Sequence, residues 1–495
     1  MTMPYSELLK LVLPETVVTL TALGVLAVGL TKRGASGLCL VLAAAGLLVS
    51  VATLFGLPQH AILFHGMLVI TPLTSLFKAI CLLLAFFTVL LARGDRSLPN
   101  QGEYLAMILL ATIGLMLLVG SEELLMIFIG LELTGLSLYV LTGFDKSNLG
   151  SAEAGLKYFL FGSTASAFTL FGISLIYGLS GATGLAEIAR QLGAGPVPPL
   201  LAAGIVMALI GFAFKIAAAP FHLWAPDTYQ GAPVPSAAFI ASASKVASFV
   251  VLGKIVLTGL GPVHGSADWH SFVAGWTPLL AILAALSILI GNFVALAQKN
   301  VRRLLAYSAV AHGGYTLVGL VAGGREGFSA TLFYTTTYAI TLVGAFGVVG
   351  IVRRETGGDD LKNFSGLCLS DRFGPGGPLL AGCMAVFLLS LAGLPPLAGF
   401  FGKFYLFSAA FHPGASHGLL WLVALALFGS LVSLFYYLTV LKVIFLEPAS
   451  GATTGRSAIH VDFIQGLSML VLAAAVLFFG LAPEPLVSRI LASLP

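Results

Sequence analysis

The sequence predicts an all-α membrane protein with about fourteen transmembrane helices. Of its 495 residues, 58% are hydrophobic and only 9% are charged, whereas roughly a quarter of the residues in a soluble domain are charged. Apolar runs of about 17 to 25 residues, long enough for a helix to cross a bilayer, recur between short polar or Gly- and Pro-rich links. The alternating segments of a membrane β-barrel are absent. These observations exclude a water-soluble globule.

The predicted spans follow from these apolar runs in chain order. The first run lacks a basic start and a cleavage site of small residues, so it is interpreted as a retained span and not as a signal peptide. The fourteen spans are residues 11–30, 36–56, 70–92, 104–120, 123–143, 155–179, 199–224, 235–259, 277–297, 303–322, 328–352, 379–410, 418–446 and 463–482.

The basic residues predict how these spans are oriented. Thirteen lie in links after odd-numbered spans, and two, Arg190 and Arg325, lie in links after even-numbered spans. Because cytoplasmic loops carry the excess of positive charge, both termini are predicted on the periplasmic side of a bacterial inner membrane. The net charge of +4 therefore reflects topology, and no nucleic-acid partner is expected. The thirteen are Lys32, Arg33, Arg93, Arg96, Lys146, Lys299, Arg302, Arg303, Arg353, Arg354, Lys362, Arg372 and Arg456.

Four charged residues lie deep in predicted spans: Glu132 in span five, Lys215 in span seven, Lys245 in span eight and Lys403 in span twelve. A charge at the centre of a spanning helix costs about 2.5–3.5 kcal/mol on insertion scales, so such residues usually mark an ion or proton path. Burial disfavours the charged form of a lysine and a nearby carboxylate favours it, which suits proton storage. The alternative is a static ion pair of Glu132 and Lys215 that orients the helices.

His312 extends this polar series in the middle of span ten, with Ser308 and Tyr315 within about one turn. An imidazole exchanges protons near neutral pH, and a purely structural role is an equal alternative. Less central lysines can extend their ammonium group to the membrane interface. Lys78 and Lys254 are of this kind, and Lys157 and Lys442 fall between them and the central lysines.

Two spans contain prolines close to their lysines. Pro220 follows Lys215 by five residues, and Pro395 and Pro396 precede Lys403. Proline removes a backbone donor and clashes with the carbonyl of the residue four positions earlier. Freed carbonyls within a membrane are tolerated only where protein or water meets them. Spans seven and twelve are therefore predicted to be broken helices.

The two broken helices occupy equivalent places in two groups of five spans. Because each group has an odd number of spans, the second is inverted relative to the first, and inverted repeats with broken helices are typical of ion-coupled carriers. The predicted regions are helices one to three at 1–103, the first five-helix repeat at 104–260, the inverted repeat at 276–446 and helix fourteen at 447–495.

Five stretches are specific enough to suggest a family: LELTGLSLYVL, SAEAGLKYFLFGSTASAFTLFGISLIYG, FKIAAAPFHLWAPDTYQGAPVP, NVRRLLAYSAVAHGGY and LAGLPPLAGFFGKFYLF. They resemble the antiporter-like subunits of proton-pumping NADH:quinone oxidoreductase (respiratory complex I), most closely the subunit N type, over nearly the whole chain. The resemblance implies that Glu132 and Lys215 are a coupled pair, that Lys245 continues the path, that Lys403 ends it and that Lys157 supports it. Related subunit M carries glutamate where Lys403 stands, which argues against that type.

The resemblance also implies what the chain does and what accompanies it. The expected function is proton translocation, coupled to quinone reduction elsewhere in a translocase complex, with no redox chemistry in this chain. No cofactor is expected here, since flavin, iron–sulfur clusters and quinone belong to other subunits. The expected partners are the lipid bilayer, the antiporter-like subunit M and the small A-, J- and K-type membrane subunits.

Other functions remain open from the sequence. A subunit of a multisubunit sodium/proton antiporter, or of a ferredoxin-driven relative of complex I, would share the same body. Sodium needs several oxygen ligands, and the predicted interior offers one carboxylate and many lysines, which favours protons. A nucleotide-binding redox chain is disfavoured, because the Gly-rich GPGGPLLAG at 374–382 follows no predicted strand.

Overall fold

The computed structural model describes residues 5–31, 36–95, 97–193, 197–368, 374, 376–411, 418–448 and 461–494. Five of the basic link residues used to predict the topology lie outside the described residues: Lys32, Arg33, Arg96, Arg372 and Arg456.

Among the described residues, twelve helices are long and apolar enough to cross a membrane. Two further apolar helices, Pro199–Lys215 and Gly376–Ala392, are shorter. Each of them covers the first part of a span that the prolines predict to be broken. The prediction of an all-α polytopic protein is confirmed.

The helices are numbered in chain order, and those that form the predicted spans differ from them by up to six residues at their ends. They are α1 (Tyr5–Leu11), α2 (Leu13–Thr31), α3 (Ser36–Leu54), α4 (Pro72–Leu91), α5 (Gln101–Gly120), α6 (Leu124–Thr142), α7 (Leu149–Ser180), α8 (Leu185–Leu192), α9 (Pro199–Lys215), α10 (Trp224–Gly231), α11 (Val234–Ala241), α12 (Ala243–Lys254), α13 (Trp276–Leu296), α14 (Val301–Ala322), α15 (Gly324–Thr356), α16 (Gly376–Ala392), α17 (Ala398–Ala410), α18 (Leu420–Phe445), α19 (Phe463–Leu481) and α20 (Glu484–Ser493).

The chain divides into two compact units. The first comprises Met1–Lys215, Gly231–His264 and Ala492–Pro495, and the second comprises Ile216–Gln230 and Gly265–Leu491. The chain therefore leaves the first unit directly after Lys215, at the break in span seven. The boundaries of the two inverted repeats stay a prediction.

Each unit has helices that are apolar on most faces and buried, as expected for core helices. These are α5 and α12 in the first unit and α14 and α15 in the second. Other helices expose large apolar side chains along their length, for example α3 and α7 in the first unit and α18 in the second. Large exposed apolar surfaces of this kind suit contact with lipid or with partner subunits.

The structure contains two short hairpins that the sequence did not predict. Strand β1 (Ala61–Leu63) pairs antiparallel with β2 (Leu68–Ile70), and β3 (Ser266–Asp268) pairs antiparallel with β4 (Ser271–Val273). Strands of three residues are too short to show the period-2 pattern by which a strand is recognised.

The predicted break in span seven begins directly after Lys215. Ala217 adopts a left-handed conformation with φ 57°, which an L-residue avoids and a right-handed helix cannot continue. The chain contains no α-helix again until Trp224. Within this break the N–H of Ala219 donates to Ser287 Oγ at 2.8 Å, so that freed backbone group is satisfied by protein, as an apolar environment requires.

The predicted break in span twelve lies between α16, which ends at Ala392, and α17, which begins at Ala398. Gly393 there has φ 87°, a conformation that glycine adopts without a steric penalty. The N–H of Gly399 donates to Ser390 Oγ at 3.1 Å. Both breaks thus use side-chain hydroxyls to satisfy backbone groups.

A third break, in span eight, has no proline or glycine to signal it. Ser242 separates α11 from α12 with φ −114° and ψ −87°, and its hydroxyl donates to the carbonyl of Ala238 at 2.6 Å. Such a bond from serine to the preceding turn competes with the helical ladder and bends helices. After Lys254 the same span continues as one π-helical turn, Ile255–Gly259.

Candidate functional site

Glu132 of α6 and Lys215 of α9 line one small cavity in the first unit. Its volume of about 10 Å³ leaves room for about one water molecule. Apart from these two residues, Ser166 and Thr169, the wall is apolar and includes Phe128. Any polar group in the cavity therefore faces Glu132, Lys215 or one of two hydroxyls.

Glu132 is half-buried and accepts a hydrogen bond from the hydroxyl of Ser166 on α7 through Oε1. This bond orients the carboxylate toward the cavity wall that α7 contributes. The sequence analysis did not single out Ser166, although it lies within the motif SAEAGLKYFLFGSTASAF.

Lys215 is buried, and its ammonium group finds no hydrogen-bond partner among the described residues. Nζ lies 5.6 Å from the centre of the Tyr139 ring and 5.9 Å from that of Tyr158, within range of cation–π attraction. None of the ion pairs between described residues joins Lys215 to Glu132. The two groups share a cavity without touching, which argues against a static ion pair.

Lys245 is fully buried on α12, three residues after the break at Ser242. The structure thus places three lysines of the predicted path, Lys215, Lys245 and Lys403, close to a helix break. For Lys245 the break itself was not predicted.

Lys157 lies in a different setting. Its ammonium group pairs with Glu153 one turn earlier on α7 at 2.6 Å, and its side chain is 39% exposed. The residues that line the Glu132–Lys215 cavity do not include Lys157. Its supporting role in the path stays a prediction.

In the second unit, His312 lies at the centre of a chain of hydroxyl groups. Its Nδ1 is 2.6 Å from the hydroxyl of Tyr334, and its Nε2 is 3.0 Å from the hydroxyl of Tyr437. The hydroxyl of Tyr437 is also hydrogen-bonded to Ser308. A neutral imidazole donates through one nitrogen and accepts through the other. His312 can therefore accept a proton from one of the two tyrosine hydroxyls and donate a proton to the other.

A second polar group lies beside this chain in the same unit. The hydroxyl of Tyr436 donates to Asn292 Oδ1 at 3.1 Å, and Asn292 Nδ2 donates to the hydroxyl of Tyr315 at 2.9 Å. The rings of His312 and Tyr315 pack edge to face, with 5.5 Å between their centres. The ammonium group of Lys403 lies 5.2 Å from the centre of the same tyrosine ring.

Lys403 is buried and makes two hydrogen bonds. Its Nζ donates to the carbonyl of Ala392 at 3.0 Å and to Ser430 Oγ at 2.9 Å. Ala392 is the last residue of α16, so the ammonium group satisfies one of the carbonyls that a helix end leaves without an intrahelical donor. A positive charge is also favoured there by the helix dipole.

An ion pair in the second unit joins two of the motifs. Arg303 of NVRRLLAYSAVAHGGY donates through Nη1 to Asp227 at 2.6 Å and to Gln230 at 3.0 Å, and both acceptors belong to HLWAPDTYQG. The residues after the break in span seven are therefore attached to the start of α14, the helix that carries His312.

Two lysines differ from the sequence interpretation. Lys78 and Lys254 were expected to be able to reach the membrane interface, but both side chains are buried and paired, Lys78 with Glu15 and Lys254 with Glu122. Glu15 is a buried carboxylate that was not predicted from the sequence. Lys442 is exposed, with 3.9 Å between its Nζ and Glu447 Oε1.

No group of three His, Cys, Asp or Glu side chains suited to a metal ion occurs in the part of the chain that the structure describes. Most of the polar residues that were not predicted from the sequence are neutral side chains within apolar helices. Their only signal was an isolated hydroxyl or amide in mid-span, which many helices tolerate. These residues are Ser166, Asn292, Tyr334, Ser430, Tyr436 and Tyr437.

Comparisons with known proteins place the chain among membrane-bound respiratory and antiporter proteins. Residues 121–433, more than half of the chain, match the family model described as NADH:quinone oxidoreductase/Mrp antiporter, TM. That segment contains Glu132, Lys215, Lys245, His312 and Lys403. A protein of Acidobacterium capsulatum named NADH-quinone oxidoreductase subunit N 2 is 45% identical, over 97% of this chain and 98% of that protein.

Two solved structures share the fold over nearly the full length. A chain of respiratory complex I from Thermus thermophilus with bound aureothin is 31% identical with a TM-score of 0.78, over 97% of this chain and 100% of that chain. A chain of the membrane-bound sulfane sulfur reductase, an archaeal respiratory membrane complex, is 25% identical with a TM-score of 0.83, over 97% of this chain and 96% of that chain.

Proposed function

The chain belongs to the NADH:quinone oxidoreductase/Mrp antiporter family, as a full-length relative of subunit N, and on that premise we propose that it moves protons through the buried Glu, Lys and His residues of its two units. It is a membrane subunit of NADH:quinone oxidoreductase, with no redox chemistry of its own. The route is Glu132, Lys215 and Lys245, with His312 as a relay and Lys403 as the terminal residue.

The cavity shared by Glu132 and Lys215 is the observation that carries this proposal. A carboxylate and an ammonium group face the same small space without forming a direct ion pair. Burial disfavours a charged lysine and a nearby carboxylate favours it, so a change in the charge of Glu132 alters how readily Lys215 holds its proton. A water molecule, for which the cavity has room, would carry the proton between them.

Coupling to the redox reaction needs only a change of field at this site. Moving one charge across the membrane is worth about 2.3 kcal/mol per 100 mV, and charges a few ångströms apart in an apolar interior interact by a comparable amount. Quinone reduction elsewhere in the complex would therefore shift the proton between Glu132 and Lys215. No residue of this chain needs to touch quinone.

The hydroxyl chain around His312 supports a relay role for the second unit. Tyr334, His312, Tyr437 and Ser308 form consecutive hydrogen bonds, and each member can donate or accept. This series of hydrogen-bonded groups can pass a proton without holding a net charge between transfers. Lys403, fixed by two acceptors, then serves as the residue from which the proton leaves.

The same proposal covers the membrane and the subunits around the chain. The chain lies in a bacterial inner membrane with both termini on the periplasmic side, next to the antiporter-like subunit M and the small A-, J- and K-type subunits. Flavin, iron–sulfur clusters and quinone are held by other subunits, and this chain holds no cofactor. The exposed apolar side chains of α3, α7 and α18 supply surfaces for such neighbours and for lipid.

A second candidate is the sodium/proton antiporter function of other family members. The oxygen atoms facing the first-unit cavity belong to one carboxylate and two hydroxyls, and an ammonium group faces them. An ammonium group in the cavity repels a sodium ion, so the geometry favours a proton. A ferredoxin-driven host complex would use the same proton path.

The Lys215→Ala variant tests the proposal in native membranes. Three quantities are measured: assembly of the complex on a native gel, NADH-driven quinone reduction and proton uptake into inverted vesicles. The expected result is normal assembly with loss of both activities. The matched control is Lys442→Ala, which removes an exposed lysine and should leave all three quantities at the wild-type level.

Two outcomes contradict the proposal in different ways. Wild-type turnover and proton uptake in Lys215→Ala would show that this lysine is structural. Proton uptake that requires sodium on the opposite side of the vesicle membrane would establish the antiporter function in its place.

A further inference from the structure

A second group of buried charges lies in the first unit, at the C-terminal end of α5. Lys78 of α4 pairs with Glu15 of α2, with 2.6 Å between Nζ and Oε1. Lys254 of α12 pairs with Glu122, two residues after the end of α5, with 3.6 Å between Nζ and Oε1. The route proposed above uses none of these four residues.

Both lysines reach the last turn of α5. Lys254 Nζ donates to the carbonyl of Val119 at 2.9 Å and to that of Ser121 at 3.5 Å. Gly120 lies between Val119 and Ser121 in the chain, and a methyl group at its Cα would be 3.0 Å from Lys78 Nζ. The two ammonium groups therefore converge on one helix end, where unpaired carbonyls and the helix dipole favour positive charge. This links the two ion pairs into one cluster.

The carboxylate of Glu15 is left incompletely satisfied. The residue is more than nine-tenths buried, and neither of its oxygens has a hydrogen-bond donor with suitable geometry among the described residues. Oε1 has the electrostatic contact with Lys78, whereas Oε2 has no charged partner there. Buried carboxylate oxygens are rarely left without a donor, so Oε2 marks a place for a water molecule or for a proton.

Three members of the cluster are buried, and only Glu122 reaches the surface. The side chains of Lys78 and Glu15 are 1% and 9% exposed, that of Lys254 is 6% exposed and that of Glu122 is 40% exposed. The backbone around Glu122 is held in place, because its N–H donates to Gly66 O at 3.0 Å and its carbonyl accepts from Leu185 N–H at 2.9 Å. The backbone of Glu122 is thus held in place, and its side chain connects the buried charges to the surface.

The cluster also connects to the proposed path along one helix. Lys245 and Lys254 lie nine residues apart on α12, which is about 13 Å along the helix axis. The π-helical turn Ile255–Gly259 begins directly after Lys254, and π-helical turns occur frequently at functional sites.

We propose that Glu15, Lys78, Lys254 and Glu122 form a proton relay between the interior of the first unit and the surface at the end of α5. Lys254 transfers its proton to the Glu122 carboxylate, which releases it to water, and Lys78 exchanges a proton with Glu15. The first unit then has its own route for exchanging protons with one side of the membrane. The pattern of basic residues predicts that this is the periplasmic side. This inference rests on the proton-translocating function proposed above.

The experiment compares Glu122→Gln and Glu15→Gln with Lys245→Ala, in the intact complex in inverted vesicles. The rate of proton uptake is divided by the amount of assembled complex, which is measured on a native gel. Both glutamine variants are expected to lower this normalised rate. Adding Glu122→Gln to Lys245→Ala should lower it no further than Lys245→Ala alone, because two residues of one route are not additive.

Two control variants separate a relay from a structural role. Glu122→Asp keeps a carboxylate at the surface and should recover part of the rate that Glu122→Gln loses. Glu187→Gln removes an exposed carboxylate from its ion pair with Arg190 on α8 and should change nothing.

Each remaining outcome decides the question. If Glu15→Gln reduces only the amount of assembled complex, while Glu122→Gln assembles and pumps normally, the ion pairs anchor α2 and α4 and the relay is overturned. Normal rates in both glutamine variants, together with loss of pumping in Lys215→Ala, reject the relay and leave the main function intact. Normal pumping in Lys215→Ala rejects the main function itself.

Discussion

The breaks in spans seven and twelve place their lysines in opposite halves of the interrupted helix. Lys215 is the last residue of the first half, α9. Lys403 lies in the second half, α17, and reaches back to the carbonyl of Ala392 at the end of the first half, α16. In both spans, the lysine is associated with the carboxyl end of a half-helix, where the dipole favours a positive charge.

The surroundings of the two ammonium groups differ sharply. Lys403 has two hydrogen-bond acceptors, and among the described residues no carboxylate pairs with it. Lys215 has no hydrogen-bond partner in the described part of the chain and shares its cavity with the carboxylate of Glu132. A break in a helix thus provides a place for a lysine, and the neighbouring side chains decide whether the lysine is held in one geometry or responds to a changing charge.

The largest effect is expected from removing the carboxylate that distinguishes the first site. Glu132→Gln keeps the size of the side chain and a hydrogen bond with Ser166, but it cannot bind and release a proton. Positioned proton-transfer groups contribute roughly 10²–10⁴-fold to a rate, so proton uptake per assembled complex should fall by at least about tenfold. Uptake is measured in inverted vesicles with Glu187→Gln as the control. Wild-type uptake would show that Lys215 does not depend on Glu132.

Arginine at each lysine position separates positive charge from proton exchange. Arginine cannot be deprotonated in proteins, so Lys403→Arg keeps donors for Ala392 and Ser430 and should assemble normally while proton uptake falls. Lys215→Arg must fit a larger group into a cavity with room for about one water molecule, and overpacking of this kind costs about 1–3 kcal/mol. The amount of Lys215→Arg complex on a native gel should therefore be lower. Equal assembly of the two variants would show that the cavity at Lys215 tolerates the larger side chain as well as the site of Lys403 does.

Much of the fold could be predicted because its signals are local in the sequence. Apolar runs predict the spans, and prolines at 220, 395 and 396 predict the two broken helices. The break at Ser242 was missed because serine is common within helices, and its competing bond with Ala238 becomes visible only in the structure. The hairpin at Ala61–Ile70 was missed because its strands are too short to show a pattern.

The site was only partly predictable for a related reason. The cost of burying a charge identifies Glu132, Lys215, Lys245 and Lys403 from their positions alone. The partners of these residues come from helices distant in sequence, such as Ser166, and a neutral hydroxyl is inexpensive enough to occur anywhere. Glu15 was missed because it lies near the start of its span, where the sequence does not reveal burial.

A smaller effect is expected from shortening the hydroxyl chain in the second unit. Tyr437→Phe removes the hydroxyl that contacts both His312 Nε2 and Ser308. Losing a buried hydrogen bond while its partners stay buried costs about 1–3 kcal/mol, so the free energy of unfolding should fall by that amount and proton uptake should fall less than in Glu132→Gln. Tyr177→Phe, at an exposed tyrosine, is the control. Unchanged uptake would assign His312 a structural role.

The smallest effect should come from Lys157, which resembles neither of the other lysines. Its partner is Glu153 on the same helix, and both side chains are substantially exposed; such exposed pairs one turn apart contribute only about 0.3–0.5 kcal/mol. Lys157→Ala should therefore assemble normally and lower proton uptake far less than Lys215→Ala. Glu153→Gln separates the two possible reasons for any loss, because it breaks the pair and leaves the lysine in place. If Lys157→Ala lowers uptake while Glu153→Gln does not, the ammonium group itself supports the path, as the family motif implies; if both variants pump normally, Lys157 lies outside it.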